Sequence, residues 1–296
     1  MTAPGVIDGF TRIERLGEVG STNDVVRGWL AGSTPEICVA TADRQTSGRG
    51  RNGRAWSAPA GAALLCSIGF RPTWLDVDDA WRLAAIVALA MADAAEDEAG
   101  LAEGTIRLKW PNDLVVIHGG AGATLIGDLT AEAALARLAG PLDIRKLAGI
   151  LGETDGLGTP DPRAVIGIGV NADWPAAEFP AELAASMTSL REVSGGRPID
   201  REALLDGFLG RLEMRAAALR AGRFDVAGWT SRQVTTGHLV TIGGLDGSVT
   251  EARAVGVYAA SGALVVKVLD ATGSTAERFV LAGEVHHLRL PLSGVV

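Results

Sequence analysis

Hydrophobic positions along this chain recur with two different periods, and the switches between them divide it into elements. Residues 13–19 alternate toward a short strand that ends in Gly20-Ser21-Thr22-Asn23. That string reads as a helix start: Ser21 or Thr22 can cap, Asp24 lies in the first turn, and the helix runs to about Ala31. Ile37 to Ala42 is a strand, and Ala62 to Phe70 is a buried one bounded by Gly61 and Arg71-Pro72. From Asp79 to about Ala99 runs an alanine-rich helix, apolar nearly all round, which implies burial against a sheet.

Short strands at Ile106–Lys109 and Leu114–Ile117 flank Trp110-Pro111-Asn112-Asp113. Residues 118–145 break the rhythm with glycines, and a short helix is expected there at about Ala131–Ala139. Lys146–Glu153 and Ala164–Asn171 are strands again. In the second, Gly167, Gly169 and Asn171 share one face and Ile166, Ile168 and Val170 the other. A bare glycine face weakens a strand, so it marks either close approach of something flat or close packing of a helix. Asp200–Ala221 is an amphipathic helix stopped by Gly222. Then come five short strands, at 239–242, 252–258, 263–269, 277–281 and 284–290, the pattern of a small antiparallel barrel. The expected architecture is α+β, a mixed sheet with flanking helices over residues 1–228 and a β-barrel over 229–296.

Composition narrows the function. The chain has 296 residues, 47% of them hydrophobic, and a mean hydropathy of +0.22, which excludes disorder. A net charge of −8 gives the long-range field the wrong sign for DNA or an anionic membrane. Cys38 and Cys66 sit in apolar runs as buried free thiols, and no signal-peptide pattern opens the chain, so a cytoplasmic location is expected. No histidine or cysteine has metal-ligand spacing.

Against this background, Gln45 to Trp56 reads Q-T-S-G-R-G-R-N-G-R-A-W. Gly48, Gly50 and Gly53 let backbone N–H groups approach a ligand, while Arg49, Arg51 and Arg54 bring guanidinium forks suited to carboxylate and phosphate. Trp56 ends the loop with a flat face of a size to stack on a purine. Two readings stand: a polyanion site, or a solvated mobile loop.

In combination, the strings G-S-T-N (20–23), Q-T-S-G-R-G-R-N-G-R-A-W (45–56), K-W-P-N-D (109–113), K-L-A-G-I-L (146–151) and G-I-G-V-N (167–171) closely resemble the biotin protein ligases. The resemblance covers about residues 15–290, and the chain's final G-E-V-H-H-L matches that family's small last domain. It implies a class II synthetase-like catalytic domain that consumes biotin and ATP with Mg²⁺. Biotinyl-5′-adenylate would form first, and its acyl group would pass to a lysine of a biotin carboxyl carrier protein.

Carried over position by position, the resemblance puts Ser21, Thr22, Asn23 and Gln45 at the biotin end. It places Arg49 toward the biotin carboxylate, Arg51 on the adenylate phosphate, Trp56 on adenine, Asn171 on the nucleotide side and Lys146 at the bridging phosphate. Arg49, Arg51 and Lys146 are the expected catalytic cations, and Asp113 with Asn112 would orient the nucleotide or its metal ion. Gly48, Gly50, Arg54, Gly149, Gly167 and Gly169 complete the implied binding set. Two departures stand out. Asn52 occupies a position where many members carry a basic residue, and 32 residues separate Asp113 from Lys146 where the family has a short hairpin. Residues 118–145 are therefore read as an insertion that loops out and leaves Lys146 in place. Only about twenty residues precede the G-S-T-N string, too few for a helix-turn-helix domain, so a monofunctional enzyme, monomeric or weakly dimeric, is expected. The rivals are a lipoate or octanoate ligase of the same fold and a non-catalytic sensor of biotinyl-adenylate.

Overall fold

The computed structural model describes residues 9–118, 143–243, 248–269, 275–281 and 284–287. Its main layer is a seven-stranded mixed sheet with strand order β1-β2-β3-β7-β6-β5-β4. The strands are β1 (Arg12–Val19), β2 (Cys38–Gln45), β3 (Ala63–Phe70), β4 (Arg107–Lys109), β5 (Asp113–Ile117), β6 (Ile144–Asp155) and β7 (Arg163–Asn171). β1 and β2 run parallel through the crossover helix α1 (Thr22–Ala31), and the other neighbours pair antiparallel.

Alternation sorts the sheet's side chains. Leu64, Cys66, Ile68, Ile166, Ile168 and Val170 point to the face covered by α2 (Trp81–Ala99) and α4 (Arg201–Arg220). α2 packs on α4 as well as on the sheet, which is why its apolar surface extends all round. It ends in left-handed Gly100, with Leu101 N–H returning to the Glu96 carbonyl at 2.8 Å. α4 begins where the Asp200 side chain accepts from the N–H groups of Glu202 and Ala203. On the opposite face α1 covers one end of the sheet, packing Val26 and Leu30 on Cys38, Ala40 and Val165. The other end of that face is open, and the site lies there.

The sequence pattern missed two short helices, α3 (Leu190–Val193) and α5 (Val226–Ser231), each under two turns long. The helix expected at 131–139 and the end of the strand expected over 284–290 lie outside the described residues.

A second sheet, all antiparallel, has the order β11-β10-β9-β8-β12, from β8 (Leu239–Gly243), β9 (Val249–Tyr258), β10 (Ala263–Leu269), β11 (Thr275–Val280) and β12 (Glu284–His287). Its apolar face forms a separate small core that Trp110 enters from the end of β4, donating its indole N–H to the Gly262 carbonyl at 3.0 Å. The junction is fixed from the other side too. Residues 232–234 bond along the edge of β4, and the buried Arg232 guanidinium reaches both Glu96 oxygens at 2.8 and 2.9 Å. The strand that ends at Lys109, with Trp110 just after it, is thereby held between both cores.

Candidate functional site

Direct cross-strand pairing builds the floor of the site. Gly169 on β7 lies opposite Gly149 on β6, Gly149 opposite Asp113 on β5, and Asp113 opposite Lys109 on β4. Paired residues share a face, so two bare glycines are followed along one line by a carboxylate and an ammonium. Strict alternation would send Lys146, three residues before Gly149, to the opposite face. The β5–β6 register shifts beside Leu114, so that Leu114 pairs with Ala148 but Val115 with Lys146, skipping Leu147. This bulge turns Leu147 into the core and Lys146 onto the glycine face. The Lys146 ammonium then stands 2.7 Å from the Asp113 carboxylate.

The backbone of Lys146 is bracketed as well. Its N–H donates to Ser186 and its carbonyl accepts from Thr188, at 2.8 and 2.9 Å. Asn171, assigned to the nucleotide side from the sequence, lies off the cavity and donates to the Thr188 carbonyl at 2.9 Å, tying down this same segment.

Polar groups close one end. Thr22 donates its backbone N–H and hydroxyl to Gln45 Oε1, at 2.8 and 3.0 Å. Buried Ser67 lies 2.7 Å from the Thr22 hydroxyl and donates to Asn23 Oδ1 at 2.6 Å. Asn23 in turn donates to Glu153 at 2.8 Å. Ser21 holds the position before α1, but its side chain makes no capping bond and it lines the cavity. A Cβ on Gly167 would collide with the Asn23 amide, so this glycine is needed by the packing of a site residue.

The arginine loop lies over the glycine floor as a small hairpin. Trp56 N–H bonds the Gly48 carbonyl at 2.9 Å, Gly50 N–H bonds Arg54 at 2.7 Å, and Arg49 bridges Ala55. Asn52 and Gly53 turn it, both in left-handed conformation. Gly48 is squeezed between Gln45 and the Trp56 carbonyl, where no side chain fits, and it lies outside the cavity lining. Gly50, Arg51 and Arg54 face the cavity, and Arg51 reaches Asn112 Oδ1 at 3.3 Å. The Asn112 amide group donates back to Ile150 at 2.8 Å. The flat object resting on the glycine face is Trp56 itself. A Cβ on Gly169 would come within 2.6 Å of its ring and one on Gly149 within 3.1 Å. Lys146 stands 5.5 Å from the ring centroid, a cation–π distance. The buried Trp56 indole N–H has no acceptor among the described residues.

Arg49 grips Asp24 with both nitrogens, at 2.7 and 2.9 Å, and reaches Glu153 at 3.4 Å. Its hydrogen bonds to Asp24 raise its own pKa and hold the Asp24 carboxyl below the usual carboxylate range. Burial works to raise Glu153, but hydrogen bonds from Asn23 and Arg27 outweigh it and leave the carboxyl lowered.

These groups surround a cavity of about 350 Å³. Of the expected site residues only Gly48 and Asn171 stand off its wall. Sequence reasoning overlooked Ser67, Glu153 and Lys109; alternation from Gly149 through Leu151 puts Glu153 on the floor face and was the signal available. Cys66 touches the cavity, but burial pushes its thiol up to about 12, so it is no nucleophile. Among the described residues no three acidic, histidine or cysteine groups gather to hold a metal ion. Asp113, the one carboxylate on the cavity wall among the described residues, would suit a Mg²⁺ that keeps most of its ligands from phosphates and water.

Residues 18–171 match the model of the biotin/lipoate A/B protein ligase family. The chain belongs to that family. It is 30% identical over 291 residues to the biotin–[acetyl-CoA-carboxylase] ligase of Mycobacterium tuberculosis, covering 96% of this chain and 92% of that protein. The bifunctional ligase/repressor BirA of Bacillus subtilis is 28% identical over 197 residues, 67% of this chain and 51% of its own length. In fold, the biotin protein ligase of Aquifex aeolicus, in complex with biotin and ATP, superposes with a TM-score of 0.68 at 24% identity, over 95% of this chain and all of that one. The Leishmania major ligase with biotinyl-5-AMP gives 0.54 at 22% identity, over 90% and 98%. Among the described residues no helix is long and apolar enough to cross a membrane.

Proposed function

We propose that this protein joins biotin to a lysine of a biotin carboxyl carrier protein at the expense of ATP. One observation carries the reading: a bulge brings Lys146 beside Asp113 on the same glycine-floored face that the arginine loop covers, opposite a polar end made by Thr22, Asn23 and Gln45. A carboxylate and a triphosphate repel each other, and cations from different elements converge where they must meet.

In the first step a biotin carboxylate oxygen attacks the α-phosphorus, the bond to the bridging oxygen breaks, and pyrophosphate leaves. Lys146 and Arg51 face the charge that develops, and Asp113 holds the lysine ready. Asp113 would also hold a Mg²⁺ carried in on the nucleotide, which would further neutralise the phosphates. In the second step the carrier's lysine amine attacks the acyl carbon and AMP departs. Neither step requires a nucleophile from the enzyme. Thr22 and Gln45 supply donors and acceptors for the ureido ring, a feature that favours biotin over lipoate or octanoate. The unpartnered indole N–H of Trp56 suits an acceptor on the nucleotide. In the same reading the β8–β12 sheet closes as a small barrel from residue 229 onward, and the enzyme works as a cytoplasmic monomer or weak dimer.

The test is mass spectrometry of a biotin acceptor domain incubated with the protein, ATP and Mg²⁺, beside parallel reactions with lipoate and octanoate. Expected are a biotinyl mass increase on one lysine and release of AMP and pyrophosphate. A lipoyl or octanoyl adduct in its place selects the rival ligase; an unmodified carrier with adenylate still bound selects the sensor.

A further inference from the structure

Arg49 stands apart from the other cations of the loop. Its guanidinium is engaged on both edges by carboxylates of the protein, bidentate on Asp24 of α1 and at 3.4 Å from Glu153 of β6. Arg27 completes a closed four-membered network, reaching Asp24 at 3.0 Å and Glu153 at 2.8 Å. Asn23 adds a third neighbour to Glu153. Isolated surface ion pairs contribute little, but bidentate geometry and a shared network are the conditions under which they count. The carboxylates come from the first turn of α1 and from the far end of β6, so the network ties the loop to two rigid elements that also carry Asn23 and Gly149.

We infer that Arg49, Asp24, Glu153 and Arg27 form a clasp that docks the arginine loop on the sheet, making Arg49 a positioning residue and not the receptor of the substrate's carboxylate. The assignment rests on the ligase reading for its kinetic arm only. It leaves Arg51, Arg54 and Lys146 to meet the anionic groups of the substrates. It also explains why an acidic pair belongs beside a site for two anions: the clasp balances two positive charges against two negative ones, so docking the loop leaves no net charge in the network.

Charge reversal separates the two roles. Arg49→Asp and Asp24→Arg each break the clasp, and the double variant re-forms that one pair with the charges exchanged while setting it against Glu153 and Arg27. Each single variant is expected to raise KM for biotin and for ATP by about tenfold and to speed amide hydrogen exchange across residues 46–56. The double variant is expected to exchange more slowly and to show lower KM values than either single variant, because one of the pairs is regained. A double variant with a protected loop but single-variant activity would overturn the inference, because Arg49 would then be needed on the substrate. Asp24→Asn keeps the test decisive if charge reversal prevents folding. Faster exchange over 46–56 with weaker biotin binding supports the clasp; unchanged exchange, or tighter biotin binding, overturns it by making Asp24 a competitor of the substrate. If the wild-type protein makes no adenylate at all, the exchange measurements still decide the clasp while the ligase reading fails alone.

Discussion

Lys146 and Asp113 meet at 2.7 Å because β6 skips one residue against β5. Without that bulge the ammonium would point into the core among Leu114 and Ala148. The pair holds the ammonium at the wall of the cavity. Lys146→Ala should therefore lower the rate of adenylate formation by about 10²-fold or more, the usual loss when a charge aimed at a reacting phosphate is removed. Single-turnover release of pyrophosphate measures it. Near-normal rates would take Lys146 out of the chemistry.

The two glycines of β7 support different side chains, so replacing them should have separable effects. Gly167→Ala strikes the Asn23 amide, while Gly169→Ala strikes the Trp56 ring. The first should raise KM for biotin with little change for ATP, and the second the reverse. Steady-state kinetics with each substrate varied in turn gives the comparison, and identical profiles for the two variants would refute the division of the floor.

Residues 119–142 connect two strands that are already joined. Ile117 pairs with Ile144, and His118 N–H bonds the Asp143 carbonyl at 2.7 Å. Replacing 119–142 with a two-residue Asn-Gly turn should keep adenylation within about threefold, because closing a shorter loop costs little and the register is set by the strands. A folded deletion variant that makes no adenylate would show that the segment belongs to the site.

Burial pushes the thiol of Cys38 up to about 11 and that of Cys66 to about 12. At pH 8 the reactive thiolate is then a thousandth of the population or less, so neither should react with a disulfide reagent until the protein unfolds. The sign for stability follows. An unfolded thiol ionises near ~8.5 while the folded one stays protonated, so stability should fall as pH rises from about 9 to 11. Thiol titration with and without denaturant, and Tm across that range, check both. Rapid labelling of native Cys66 would mean that the cavity opens further than its walls suggest.

Much of this protein was determined locally. The loop from Gln45 to Trp56, the glycine face of β7 and the K-W-P-N-D string announce themselves because glycine spacing, charge and alternation are properties of a few adjacent residues. The strands and long helices follow from the same short-range patterns. What only the tertiary structure decided depends on partners distant in the chain. The direction of Lys146 is set by a register shift against a strand 30 residues away, which no alternation rule within β6 contains. Trp56 lies on glycines 149 and 169 because the sheet brings two strands under the loop. The sequence marks Arg49 as a free cation for a ligand; folding brings Glu153, 104 residues away, and Asp24 to its guanidinium and gives it a different task. Side-chain chemistry is written residue by residue, but which charges neutralise one another is settled only when the sheet forms and sets the distances between them.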